Sequence, residues 1–217
     1  MICVSISKVS YDLAAEYARK YPFVEFRLDT LPISVEEAGN LFSIADRSIS
    51  TCRPMPGQEG RREMFLKIGI ESGADFIDLE IETSKQMLTD IKERVHRAET
   101  KLIISYHNFK KTPQKSELET IYEKAIQYGA DIVKIACAVH HQEDNLRLLS
   151  LCAEYQSVLA IGMGPMGTFT RVLGPFLGSP FTFAHPDDQP PTAPGQLPYS
   201  RMKSLQTELK ELFHGKI

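Results

Sequence analysis

Eight short apolar segments recur along this chain, at residues 2–6, 23–28, 48–52, 76–81, 102–106, 132–136, 158–162 and 180–183, and stretches with helical spacing fill the intervals. That spacing is visible in Leu13, Ala14, Tyr17 and Ala18, in Leu118, Ile121, Tyr122 and Ala125, and in Leu146, Leu149 and Ala153. Gly73 in Ser-Gly-Ala-Asp and Gly129 in Tyr-Gly-Ala-Asp stand where a helix should stop and the next strand begin. Strands alternating with helices through short connections require a parallel sheet with right-handed crossovers. Eight such units in 217 residues favour closure into a single (β/α)8 TIM barrel spanning residues 1–217, with an open doubly wound sheet as the alternative.

Side-chain parity within the strands separates the two. In Phe23-Val24-Glu25-Phe26-Arg27-Leu28-Asp29 one parity carries Val, Phe and Leu while the other carries Glu25, Arg27 and Asp29, and Asp78 and Glu80 again share a parity. An open sheet covered by helices on both faces would be apolar on both. A barrel packs the outward parity on helices and can turn the inward one into a polar lumen. The charges could instead form a salt-bridge network that merely fills the interior.

Composition narrows the function. With 42% hydrophobic and 24% charged residues the chain carries enough apolar material for a large core. A net charge of −3 lacks the basic footprint that nucleic acid or an anionic membrane would need. Cys3, Cys52, Cys137 and Cys152 are far apart and mostly within strand segments, which suits buried thiols better than disulfides or a zinc site. The chain opens on a strand, and no apolar run approaches the ~18 residues of a membrane span. A cytoplasmic protein is expected.

Lys134 lies inside the apolar run Asp131-Ile132-Val133-Lys134-Ile135-Ala136. A buried ammonium costs several kcal/mol of desolvation unless it is paired or loses its proton. Burial and neighbouring cations, here Arg27 and Arg53, would make it a nucleophile. An ion pair to Asp78 or Glu80 is the plain alternative. One βα unit earlier, Ile103-Ile104-Ser105-Tyr106 ends on His107, at the strand end where barrel active sites form and where an imidazole can exchange a proton near neutral pH. His96, His140, His141, His185 and His214 carry less weight, and His140-His141, at a loop-to-helix joint, are not at metal-ligand spacing. After the third strand, residues 51–60 run from Arg53 to Glu59 at a helix entry, where Glu59 could simply stabilise the helix N-terminus. Residues 162–171 form a glycine-rich turn ending on Arg171, too loose for a phosphate loop. The breaker-rich stretch 187–196 could be a lid or a plain surface loop.

Taken in order, Glu25-Phe26-Arg27-Leu28-Asp29, Arg53 with Glu59-Gly60, Ser105 to Phe109 with Thr112-Pro113, the Lys134 run, Met163 through Gly167 to Arg171, and Ala193-Pro194-Gly195-Gln196 resemble the type I 3-dehydroquinate dehydratases of the shikimate pathway. The resemblance spans nearly the whole chain. It implies a (β/α)8 homodimer with neither metal nor cofactor that converts 3-dehydroquinate to 3-dehydroshikimate, in some members fused to a shikimate dehydrogenase. It also implies that Lys134 forms a Schiff base, that His107 is general base and then acid, and that Glu59 orients His107. Ser5, Glu25, Arg27, Arg53, Arg171, Thr192 and Gln196 would hold the substrate's hydroxyls and carboxylate. The chain departs from the family pattern in a longer Pro54-Met55-Pro56-Gly57 loop, in Ile161 where methionine is expected, in Asn108 for aspartate and in Thr192 for serine. Two other readings of the same residues are a Schiff-base class I aldolase and a barrel that binds a small carboxylate without covalent chemistry.

Overall fold

The computed structural model describes residues 1–213; His214, named above, lies outside them. Strands β1 (Ile2–Ile6), β2 (Val24–Arg27), β3 (Ser48–Thr51), β4 (Phe76–Glu80), β5 (Lys101–Asn108), β6 (Ile132–Ala138), β7 (Val158–Met163) and β8 (Thr182–Ala184) alternate with helices. These are α1 (Tyr11–Lys20), α2 (Val35–Ile44), α3 (Glu59–Glu71), α4 (Lys85–Ala98), α5 (Lys115–Gln127), α6 (Gln142–Glu154), α7 (Thr168–Leu173) and α8 (Tyr199–Phe213). All eight strands belong to one sheet, each hydrogen-bonded to its sequence neighbour from β1 to β7, with β8 against β1. The pairs are parallel. Among the described residues no ladder joins β7 to β8, so the TIM barrel is nearly closed, with one seam.

Local chemistry explains where the elements start and stop. Ser34 and Glu37 form a reciprocal capping box at the head of α2, and Ser84 caps α4 through the Met87 amide. Gly73 and Gly129 take φ of +89° and +87° at the αβ joints, a region that a side chain disfavours. Three strand boundaries differ from expectation by two residues. β5 and β6 run two residues further, through Asn108 and Ala138, because His107 and Asn108 still pair with Ala136 and Cys137. β8 starts at Thr182 rather than at Pro180, whose ring nitrogen has no hydrogen to give a ladder.

The outward parity packs on the helices: Val4, Ile6, Val24, Phe26, Ile77, Leu79, Ile104, Val133 and Ile135 join Leu41, Leu66, Ile91, Leu118 and Leu148 in one continuous core. The inward parity is divided by height. Toward the strand N-termini it is apolar, with Cys3, Phe23, Ile49, Phe76, Ile103 and Phe181 in contact. Phe181 meets the Phe23 ring edge-on at 5.0 Å between centroids, and the Arg47 guanidinium lies 5.0 Å from the Phe76 ring centroid. Burying each such phenylalanine is worth ~1.5–3 kcal/mol. The expected polar lumen is therefore confined to the upper half, where Ser5, Glu25, Thr51, Asp78, Ser105 and Lys134 continue the same parity. The floor is hydrocarbon and the charges stand on it.

Candidate active site

Glu25 comes from β2, is 3% exposed, and accepts hydrogen bonds from Ser5 of β1 and from the Thr51 hydroxyl at 2.9 Å. Asp78 of β4 is fully buried and receives Arg53 through both guanidinium nitrogens at 3.0 and 2.9 Å, the Ser105 hydroxyl at 2.6 Å and Lys134 Nζ at 2.8 Å. Lys134 Nζ also lies 3.7 Å from Glu25 and 4.4 Å from the Phe183 ring centroid. Arg53 continues to Glu80, and Glu80 to Arg62 of α3, which also donates to the Cys52 carbonyl. Charges thus alternate in sign from Arg62 across the barrel to Lys134 and Glu25.

This arrangement changes one expectation. Lys134 is 5% exposed, as a nucleophile in a dry site should be, but its nearest charged neighbours are carboxylates. Arg53 is held by Asp78 and Glu80, and Arg27 by Asp29 at 2.9 Å. The ion pair to Asp78 is present, and the same lysine lines the cavity above it. The nitrogen therefore rests in a salt bridge rather than as an amine kept neutral by cations.

The cavity holds ~510 Å³ at the C-terminal ends of the strands. Lys134, His107, Ser5, Glu25, Arg27, Arg53, Arg171, Thr192 and Gln196 all line it. Ala136, Ile161, Met163 and Phe183 supply an apolar wall. His107, on the strand next to Lys134, is held neutral: burial, then the nearby cations Arg53 and Lys134, push its pKa well below 6.5. Its ring stacks on exposed Phe109 with 12° between planes. Arg171 of α7 is 3% exposed with its Nε unsatisfied, and among the described residues no carboxylate stands within salt-bridge distance of it. Burial lowers its pKa to about 10, which leaves it cationic at neutral pH. It is a buried positive charge at the cavity wall, facing Glu25 but held in no salt bridge among the described residues. Thr192 donates its amide and hydroxyl to the Gln196 side-chain oxygen at 2.9 and 2.8 Å. The loop between β8 and α8 is pinned over the mouth by Gly164 N–H to the Pro194 carbonyl and by the Thr168 hydroxyl to that of Gly195.

Glu59 does not join them. It is exposed in the first turn of α3 and lines a neighbouring groove with Glu63, Lys67 and Asp90. The two prolines and Gly57, at φ +74°, carry the chain away from the lumen before the helix begins. Its placement supports the helix N-terminal alternative and gives no support to an orienting contact with His107. Glu80 and Glu82 are the carboxylates of this quarter that reach the cavity. Asp78 figured above only as a filler of the interior, and Ser105 and Phe183 were not singled out; a charge at inward parity signals Asp78, whereas nothing local signals Phe183. Among the described residues no group of three or more histidine, cysteine or acidic side chains could hold a metal ion.

Fold and site define a barrel enzyme with its reactive groups at the C-terminal mouth. The sequence profile described as Type I 3-dehydroquinase matches residues 2–212. A 3-dehydroquinate dehydratase of Methanocaldococcus jannaschii is 35% identical over 216 residues, covering 94% of this chain and 97% of that protein. The 3-dehydroquinate dehydratase of Geobacillus kaustophilus superimposes with a TM-score of 0.83 at 26% identity, over 99% of this chain and 92% of that one. The type I enzyme of Clostridium difficile, solved with covalently modified comenic acid, gives 0.83 at 25% identity over 97% and 92%. The chain belongs to the type I 3-dehydroquinase family and is a hydro-lyase. Family membership sets aside the aldolase and the non-catalytic barrel.

Proposed function

We propose that this protein dehydrates 3-dehydroquinate to 3-dehydroshikimate in the shikimate pathway through a Schiff base on Lys134. The observation that carries the reading is the convergence on one cavity of a buried lysine, a neutral imidazole on the adjoining strand and a buried arginine held in no salt bridge. Arg171 receives the substrate carboxylate, with Thr192 and Gln196 beside it, and its planar fork suits two parallel hydrogen bonds. Glu25, Ser5, Arg27 and Arg53 face the ring hydroxyls.

The Lys134 nitrogen, freed of a proton, attacks the ketone carbon, and the carbonyl oxygen departs as water to leave an iminium. The positive nitrogen acidifies the adjacent C–H bond, and His107 takes that proton. The enamine electron pair then expels the β-hydroxyl, which leaves as water with the proton returned by His107. Hydrolysis of the conjugated iminium restores the lysine and releases the enone. The loop over the mouth excludes bulk water during these steps. The reading extends to a homodimer, to association or fusion with a shikimate dehydrogenase, and to a cytoplasmic setting, which suits four buried free cysteines.

Borohydride reduction with 3-dehydroquinate, followed by peptide mass spectrometry, tests the chemistry. One substrate-derived adduct is expected on Lys134 and none in Lys134→Ala. An adduct on another lysine, or dehydroshikimate formation by Lys134→Ala at the wild-type rate, would refute it.

A further inference from the structure

The feature of the site that this mechanism leaves unused is Asp78. It is fully buried, absent from the cavity lining, and saturated by Arg53, Ser105 and Lys134. Its place beneath the lysine, on the floor side of the polar layer, lets it act on the nitrogen without touching substrate. We infer that Asp78 is a positioning residue that fixes the Lys134 nitrogen toward the cavity and serves as the standing counter-ion of that nitrogen at both ends of iminium formation. The inference rests on the Schiff-base reading above.

Proton and charge balance give the reason. The lysine begins as R–NH3⁺ beside Asp78 at 2.8 Å. Together with a ketone it becomes R–NH⁺=C plus one water, the two hydrogens lost from nitrogen leaving with the carbonyl oxygen. The nitrogen is positive before and after, and neutral only in the interval of attack. A fixed anion therefore stabilises the resting amine and the iminium alike, and disfavours escape of the proton to solvent. The anion must not itself take the proton. Despite its burial, Arg53 and Lys134 hold the Asp78 carboxyl far below the usual carboxylate range, so it stays ionised. His107, neutral and on the adjoining strand, can carry the transient proton instead.

The surroundings leave this task to Asp78. Lys134 is faced by Asp78 from β4, Glu25 from β2, Phe183 from β8, and more distantly by Cys3 from β1 and His107 from β5. Glu25 stands at 3.7 Å with its oxygens engaged by Ser5 and Thr51. Asp78 is faced by Arg53 after β3, Ser105 of β5 and Lys134 of β6, with Glu80 on its own strand bound to the same arginine.

The test compares wild type, Asp78→Asn and Asp78→Glu by the borohydride assay. In Asp78→Asn the fraction of Lys134 trapped at saturating substrate is expected to fall at least tenfold. Binding of an analogue with a hydroxyl in place of the ketone, which cannot form the adduct, should change by a smaller factor. Asp78→Glu, which keeps the charge, should restore part of the trapped fraction. Equal trapping in Asp78→Asn, or a loss of analogue binding as large as the loss of trapping, would overturn the inference. Absence of any wild-type adduct on Lys134 would instead overturn the Schiff-base reading. If Asp78→Asn does not fold, wild-type protein labelled with [ζ-15N]lysine answers the question. A slowly exchanging ammonium signal lost in Lys134→Ala supports the clamp, and its absence refutes it.

Discussion

Arg171 and His107 differ in what surrounds them, and their variants should differ accordingly. Arg171 is the cavity-lining arginine that no described carboxylate holds in a salt bridge, so Arg171→Ala should act on substrate binding. Hydrogen bonds to charged groups are worth ~1.5–3 kcal/mol, which corresponds to a rise in KM of about 10- to 150-fold with a smaller change in kcat, read from steady-state kinetics. His107→Ala should still form the borohydride adduct while turnover drops ~10²–10⁴-fold, as for a lost general base. Because burial and two cations keep the imidazole neutral, kcat/KM should hold constant as pH falls to 6.5 and decline only below it, as the ring gains a proton. A decline centred above 6.5 would contradict the environment described. At this scale the sequence was legible wherever a polar residue broke an apolar strand: Lys134, Glu25 and His107 all declared themselves that way. Asp78 declared its position but not its task, which depends on partners from β5, β6 and the loop after β3. The position of Glu59 outside the cavity was not legible, because a loop path is set by turn geometry at Pro54, Pro56 and Gly57 rather than by spacing along the chain.

At the level of elements, the contact between the β7–α7 and β8–α8 loops decides whether the mouth stays covered. Gly195 takes φ of +82°, and a Cβ there would run into the Gly164 carbonyl oxygen. Gly195→Ala should lift the 187–196 stretch from its seat, with faster proteolytic cleavage there, a several-fold higher KM and little loss of stability. Unchanged cleavage and kinetics would show that the contact is dispensable. Strand positions were readable because inward and outward parities differ in chemistry, and the αβ joints because they end on glycine. The division of the lumen into an apolar base and a polar upper half was less plain. Phe23 and Glu25 share a parity, so height along the barrel axis, not alternation, separates them. The apolar run 180–183 overstates β8 at its start, since apolarity alone does not count the missing N–H of Pro180.

For the whole molecule, the alternating ion chain makes the fold sensitive to acid. Asp78 is ionised in the native state far below the usual carboxylate range of about 3.8, whereas in the unfolded chain it titrates there. Its depressed value contributes stability that is fully present above 3.8 and is lost as pH falls from there toward the native value. Each pH unit within that window removes ~1.4 kcal/mol per proton bound more by the unfolded state. Urea titrations from pH 7 to 3 should show this loss in wild type, and the stability gap to Asp78→Asn should narrow below pH 3.8. A gap that stays constant would mean that the carboxylate is not held ionised by its partners. The eightfold alternation made the barrel legible from the outset; how completely it closes was not, since a seam depends on the shortness of β8 and on which residues face β7.

That seam gives the two sides of the barrel unequal freedom. Lys134 and His107 stand on strands zipped on both edges, whereas the wall leading to Arg171 borders the line where no backbone bond spans β7 and β8. A guest of greater girth would be accommodated by spreading that flank alone, so the carboxylate grip can adjust while the reacting nitrogen keeps its coordinates.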